Sequence, residues 1–131
     1  VESKKHESEL KSKLLEKFRV MMPGFVQMTH EDFRQVGHPD WSVTGFARTS
    51  WWEFKHGTPN FESHGRQELT MLRLAAAGYS RYVIWHENAD STNKRTLIVH
   101  PTKIKDLEPE DWCTGFDFNF ILSVMRKAHQ R

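Results

Sequence analysis

Gly37-His38-Pro39-Asp40 opens the decisive stretch and Ser50-Trp51-Trp52-Glu53-Phe54-Lys55 closes it, with twelve residues between Asp40 and Glu53. The second segment reads as a strand rich in aromatics. Residues two apart on a strand face the same side, so Trp51, Glu53 and Lys55 project together. Trp52, Phe54 and His56 point the other way, and the first two suit a core. A carboxylate and an ammonium on such a strand are costly to bury unless paired or bound to something. Asp40 starts a second strand, predicted over Asp40 to Thr44 and turned at Gly45. If a hairpin pairs the two strands, both carboxylates meet at one end of the sheet. The connection contains Phe46-Ala47-Arg48-Thr49, longer than a minimal hairpin turn, which leaves the facing of Asp40 and Glu53 open. Two hard oxygen donors suit Mg2+ or Mn2+. A protonated lysine beside them is no ligand, but it can contact a phosphate oxygen or an attacking water. Such a set hydrolyses phosphodiesters.

Outward from this stretch, the periodicity predicts a helix over Ser3 to Met22 with Leu10, Leu14 and Phe18 as its stripe, stopped by Pro23-Gly24. A strand follows at Phe25 to Thr29. After the Glu53 strand come a loop from Gly57 to Asn60 and a helix over Ser63 to Ala77, closed by Gly78. Strands are predicted at Tyr79 to His86 and Thr96 to Val99, and a last helix at Phe116 to Arg131. Pro101 to Gly115 reads as irregular. The order α-β-β-β-α-β-β-α predicts an α/β fold with a mixed central sheet flanked by helices. The helix joining the third and fourth strands is long enough for a parallel crossover.

The 131 residues fit one domain, 1-131, without internal repeats. Nineteen basic against seventeen acidic residues leave a net charge of +2, so total charge does not announce a nucleic-acid binder. Any such partner requires basic residues clustered by the fold. No apolar run reaches the ~18–20 residues of a membrane span. The polar start lacks the apolar segment of a secretory signal. A single cysteine, Cys113, cannot form an internal disulfide. An intracellular setting, cytoplasmic or nucleoid-associated, is the expectation.

The ordered set resembles the PD-(D/E)XK nuclease superfamily, and within it the VRR-NUC branch and related Holliday-junction resolvases. The resemblance rests on Gly37 before Pro39-Asp40, on Glu53-Phe54-Lys55, on Gln67 near the start of a helix bearing Leu69, Leu72 and Leu74, and on Gly78 before the strand at Tyr82 to Trp85. It covers the chain from about Glu7 to about His86. It implies a restriction-endonuclease-like core and a Mg2+- or Mn2+-dependent DNA endonuclease. Asp40, Glu53 and the main-chain carbonyl of Phe54 would hold the metal, and Lys55 would position the nucleophilic water. It further implies branched, Holliday-junction-like DNA as substrate, a homodimer, and settings in DNA repair and recombination. A catalytically silent DNA- or protein-binding module on the same fold is the alternative. A third reading takes Pro-Asp and E-x-K as coincidence in an unrelated α/β protein.

The family also carries a glutamate on the first helix. At about 100° per residue, with Leu10 at zero, Glu7 falls at about 60°, inside the apolar stripe, whereas Glu9 and Glu16 fall opposite. Glu7 is therefore the expected additional ligand, with Glu9 in reserve. Gln67 shares the inward stripe of Met71 and Leu74, and by resemblance orients Lys55 or the substrate. Arg34, Arg48, Arg66 and His38 are the expected DNA contacts, with Trp41 and Trp51 as aromatic candidates. His38, His56 and His64 lack any metal-binding motif spacing and are expected to be surface or phosphate-contacting groups. Trp51, Trp52, Trp85 and Trp112 are expected to pack in the core rather than to stack on bases. The basic residues of the first helix, Lys11 among them, read as a solvated face.

Overall fold

A computed structural model of the chain describes residues 2–30, 37–59 and 65–130. Helix α1 (Glu2–Met21) leads into strands β1 (Val26–Thr29), β2 (Trp41–Gly45) and β3 (Arg48–Gly57). Helix α2 (Arg66–Ala77) precedes β4 (Ser80–Glu87) and β5 (Lys94–Val99). A 3-10 turn (Pro101–Asp106), β6 (Asp111–Thr114) and α3 (Phe118–Ala128) complete the chain. One six-stranded mixed sheet holds the strands in chain order. β3 and β4 are parallel, and the other neighbours are antiparallel. The single parallel pair is the one bridged by α2, since only a crossover brings a chain back in the same direction.

The expected α/β order is present, with two additions. The stretch expected to be irregular contains the 3-10 turn and β6, which pairs with β5. Trp112 on that edge strand is about half exposed, not in the core. No helix among the described residues is long and apolar enough to cross a membrane.

The sheet is covered on both faces. Leu14, Phe18 and Met22 of α1 pack with Ile121, Leu122 and Met125 of α3 over Trp41, Trp52, Phe54, Val83 and Trp85. The rings of Phe54 and Trp85 stack at 5.3 Å. Met71 of α2 covers Tyr82, Ile84, Leu97 and Val99 on the opposite face. β4 therefore contributes alternate residues to two cores, which explains its unbroken run of apolar residues.

The β2–β3 connection is shorter than the sequence suggests. Arg48 and Thr49 already belong to β3, opposite Gly45 and Thr44, so the loop is Phe46-Ala47 alone. Both adopt positive φ, 53° and 61°. That is the twist a two-residue hairpin needs, although glycine or asparagine usually supplies it. Phe46 is held by an edge contact with Phe25, 5.5 Å between centroids. Gly45 is required by the same ring, since a Cβ there would lie 2.4 Å from Phe25 Cδ1.

His129, just after α3, fastens this hairpin to the helix. Its Nδ1 lies 3.0 Å from the Gly45 carbonyl, and its Nε2 lies 2.8 Å from Ser50 Oγ. A carbonyl only accepts, so Nδ1–H donates and Nε2 accepts the Ser50 hydroxyl. Trp52 Nε1 in turn donates to Ser50 Oγ at 2.8 Å. Ser50 and His129 are both about 1% exposed, which makes this Ser–His pair a structural latch. Burial holds the His129 pKa below its ordinary value, against the Gly45 bond and in the same sense as Arg48. A neutral buried histidine stabilises above its unfolded pKa of about 6.5, and that stability is lost as pH falls. His129→Ala is expected to cost about 2–4 kcal/mol in urea melts at pH 7.5. It should also reduce the loss of stability that the wild type shows on going to pH 5.5.

Candidate functional site

Trp41 pairs with Trp52, so the β2–β3 register carries Asp40 to a place opposite Glu53. The backbone N–H of Asp40 donates to Glu53 Oε1 at 3.0 Å. The backbone N–H of Phe54 donates to Asp40 Oδ2 at 2.9 Å. Each carboxylate is thus anchored on the other's strand, which settles the facing that the sequence left open. Lys55 Nζ lies 3.3 Å from Glu53 Oε2, with Lys55 partly exposed and Glu53 at 2%. Burial pushes the Glu53 carboxyl up to about 8, the charge of Asp40 adds to the rise, and Lys55 opposes it. Glu53 is a buried acid held beside a second acid, an arrangement that a cation relieves.

Helix α1 reaches the pair through Lys11. Glu7 is turned inward as its helical phase predicts, whereas Glu9 is exposed. Lys11, one turn on, corrects the expectation of a solvated basic face. Its Nζ lies 3.8 Å from Glu7 Oε1 and 3.7 Å from Asp40 Oδ1, and the side chain is 13% exposed. Lys11 thus bridges Glu7 and Asp40, while Lys55 sits on Glu53; the three carboxylates do not themselves converge within 4.8 Å of one another. The donors are all oxygens, the type that Mg2+ and Mn2+ take. Of the expected ligands, Asp40 and Glu53 are brought side by side, the Phe54 carbonyl belongs to the same strand segment, and Glu7 reaches them through Lys11.

The Gly37 loop is seated on α2. Gly37 has φ +97°, and a Cβ there would fall 3.2–3.3 Å from the Cβ, carbonyl carbon and oxygen of Arg66. A side chain is excluded by both the conformation and the contact. Arg66 itself is exposed and Gln67 is half-buried in the first turn of α2. Among the described residues, Gln67 makes no side-chain hydrogen bond to Lys55.

The expected DNA contacts divide. His38 is exposed beside Trp51 and His30, at centroid distances of 6.4 Å and 6.0 Å. His30 Nε2 in turn lies 2.8 Å from Ser42 Oγ. Half-buried Trp51 shares the face of Glu53 and Lys55, so this aromatic group borders the acids. Trp41 is buried at 2% and cannot stack on a base, a correction to its expected exposure. Arg48 lies five residues before Glu53 along β3, roughly 17 Å away, where its guanidinium reaches the Ala128 carbonyl at 3.5 Å. Arg34 and His64 lie outside the described residues, as does Ser63 of the expected second helix. A concavity of about 720 Å³ between Phe46-Ala47 and His129-Gln130 lies at the hairpin tip and contains none of the acids.

No family model matches the chain, and no curated protein matches it.

Proposed function

We propose that the chain is a Mg2+- or Mn2+-dependent DNA endonuclease on a restriction-endonuclease-like core. The observation that carries this reading is the interlocked pair Asp40 and Glu53, with Lys55 3.3 Å from the buried carboxylate. The α-β-β-β-α-β order and the seating of Gly37 on α2 support it, because they join the separate parts of the sequence pattern at one place. When bound, the metal supplies a polarised phosphate and a water of lowered pKa.

The chain's own residues do the rest. Asp40, held by the Phe54 amide, and Glu53, held by the Asp40 amide, present oxygens in a set geometry, and Glu7 adds a carboxylate from α1. Lys55 holds the attacking water and stabilises charge that develops on the phosphate. Glu53 must lose its proton to serve as a ligand, and nearby positive charge lowers the cost of that loss. Gln67 and Arg66, at the start of α2, and His38 with Trp51, beside the acids, border the path for the DNA backbone. Cleavage leaves a 5′-phosphate and a 3′-hydroxyl.

Branched, Holliday-junction-like DNA is the preferred substrate class. A homodimer supplies the two cuts that a four-way junction needs, because one such domain has one site. An intracellular place, cytoplasmic or nucleoid-associated, goes with that substrate. The test is incubation of end-labelled DNA with Mg2+ or Mn2+, using wild type and Asp40→Ala. Wild type is expected to cut, with cleavage lost in the variant and in EDTA. Equal cutting by both proteins would remove the site from the reaction.

One observation favours a second reading, a catalytically silent DNA- or protein-binding module. Lys11 already compensates Glu7 and Asp40, as a structural cation would. On that reading wild type binds DNA without cutting it, and added Mn2+ leaves binding unchanged.

A further inference from the structure

A second cluster of ligating side chains lies across the sheet from Glu53 and Lys55. His56 follows Lys55 on β3 and therefore points to the opposite face. Its Nε2 lies 2.9 Å from Glu87 Oε1 at the end of β4, and both side chains are largely buried. His6, exposed in the second turn of α1, places its ring 5.2 Å from that of His56 at 70°. One ligating atom from each of His6, His56 and Glu87 lies within 4.8 Å of the others. They border a cleft of about 250 Å³, which Glu9, Lys13 and Lys94 also line.

We propose that His6, His56 and Glu87 form a site for a borderline divalent transition-metal ion of the zinc type. Two imidazoles and a carboxylate are a common zinc set, leaving a fourth position for water. Ligand atoms around tetrahedral zinc lie about 3.3 Å apart, which follows from bonds of about 2.0–2.1 Å. The His56–Glu87 pair is already near that spacing, and the exposed His6 side chain has only a short distance to close. Phe116 fixes the His56 ring by an edge contact at 5.9 Å. Lys94 Nζ lies 3.9 Å from Glu87 Oε2 and, with Lys13, balances the charges of Glu87 and Glu9. A cleft of no net charge gives little to a hard ion such as Mg2+, whereas the imidazole nitrogens select a softer one. The ion ties the start of α1 to the ends of β3 and β4. Glu7, the next residue after His6, is thereby held toward Asp40. This assignment stands independently of the nuclease reading.

The test is isothermal titration of the full chain with Zn2+, together with the visible absorption of Co2+ and thermal melts. Wild type is expected to bind Zn2+ at this site and to melt at a higher temperature with it. His6→Ala removes an exposed side chain, so folding is preserved; it should weaken Zn2+ binding at least about tenfold and abolish the melting shift. Asp40→Ala should retain the His6-dependent uptake and melting shift. No uptake by wild type, equal uptake by His6→Ala, or loss of the His6-dependent uptake in Asp40→Ala would each overturn the assignment.

Discussion

Glu53→Gln is expected to give a protein that is inactive yet more stable than the wild type without metal. Burial and the neighbouring Asp40 carboxylate hold the Glu53 pKa at about 8, far above the ordinary value of 4.5. A raised carboxyl pKa stabilises the fold below the unfolded pKa, and that stability is lost as pH rises through the folded pKa. Metal-free wild type should therefore weaken between about pH 4.5 and pH 8, by about 2–4 kcal/mol at the upper end. Glutamine keeps the oxygen that accepts the Asp40 amide and never ionises, so the variant should not show this decline. Mn2+ affinity should fall at least about 10–100-fold, because a buried anionic ligand becomes neutral. Urea melts in EDTA from pH 5 to pH 9 check the first part, and a Mn2+ titration checks the second. Parallel stability curves for the two proteins would contradict the account of Glu53.

Lys55→Ala is the second large effect. Lys55 is partly exposed and its contact with Glu53 is a single 3.3 Å pair, so the fold should survive its removal. Its proposed work is in the transition state, where charge develops on the phosphate. Loss of one such group costs about 10²–10³-fold in rate, or about 2.7–4 kcal/mol. Single-turnover cleavage should slow by that factor while DNA binding changes little. A variant that loses binding and cleavage equally would make Lys55 a binding residue instead.

The hairpin was partly legible in the sequence and partly not. Alternation on β3 separated Glu53 and Lys55 from Trp52 and Phe54, because a period of two is imposed by the strand itself. The register was hidden because the turn residues, Phe46 and Ala47, have no ordinary preference for positive φ; Phe25 supplies the reason from another strand. Helical phase placed Glu7 correctly. The same arithmetic puts Lys11 only about 20° from Phe18, so its inward side chain could have been found. Its positive charge argued for solvent, and only Glu7 and Asp40 reverse that argument. His6, His56 and Glu87 come from three elements and follow no local spacing, so only the fold brings them together. β6 was missed because Asp111 to Thr114 lacks an apolar alternation, and its edge position leaves Trp112 half exposed.

The most direct measurement is cleavage of a labelled four-way junction beside a matched linear duplex, in Mg2+ and in Mn2+, with wild type and Lys55→Ala. Paired cuts on the junction by wild type, lost in EDTA and slowed at least about 10²-fold in the variant, are the predicted result. No cleavage of either DNA by wild type in either metal would contradict the assignment of Asp40, Glu53 and Lys55 as a nuclease site.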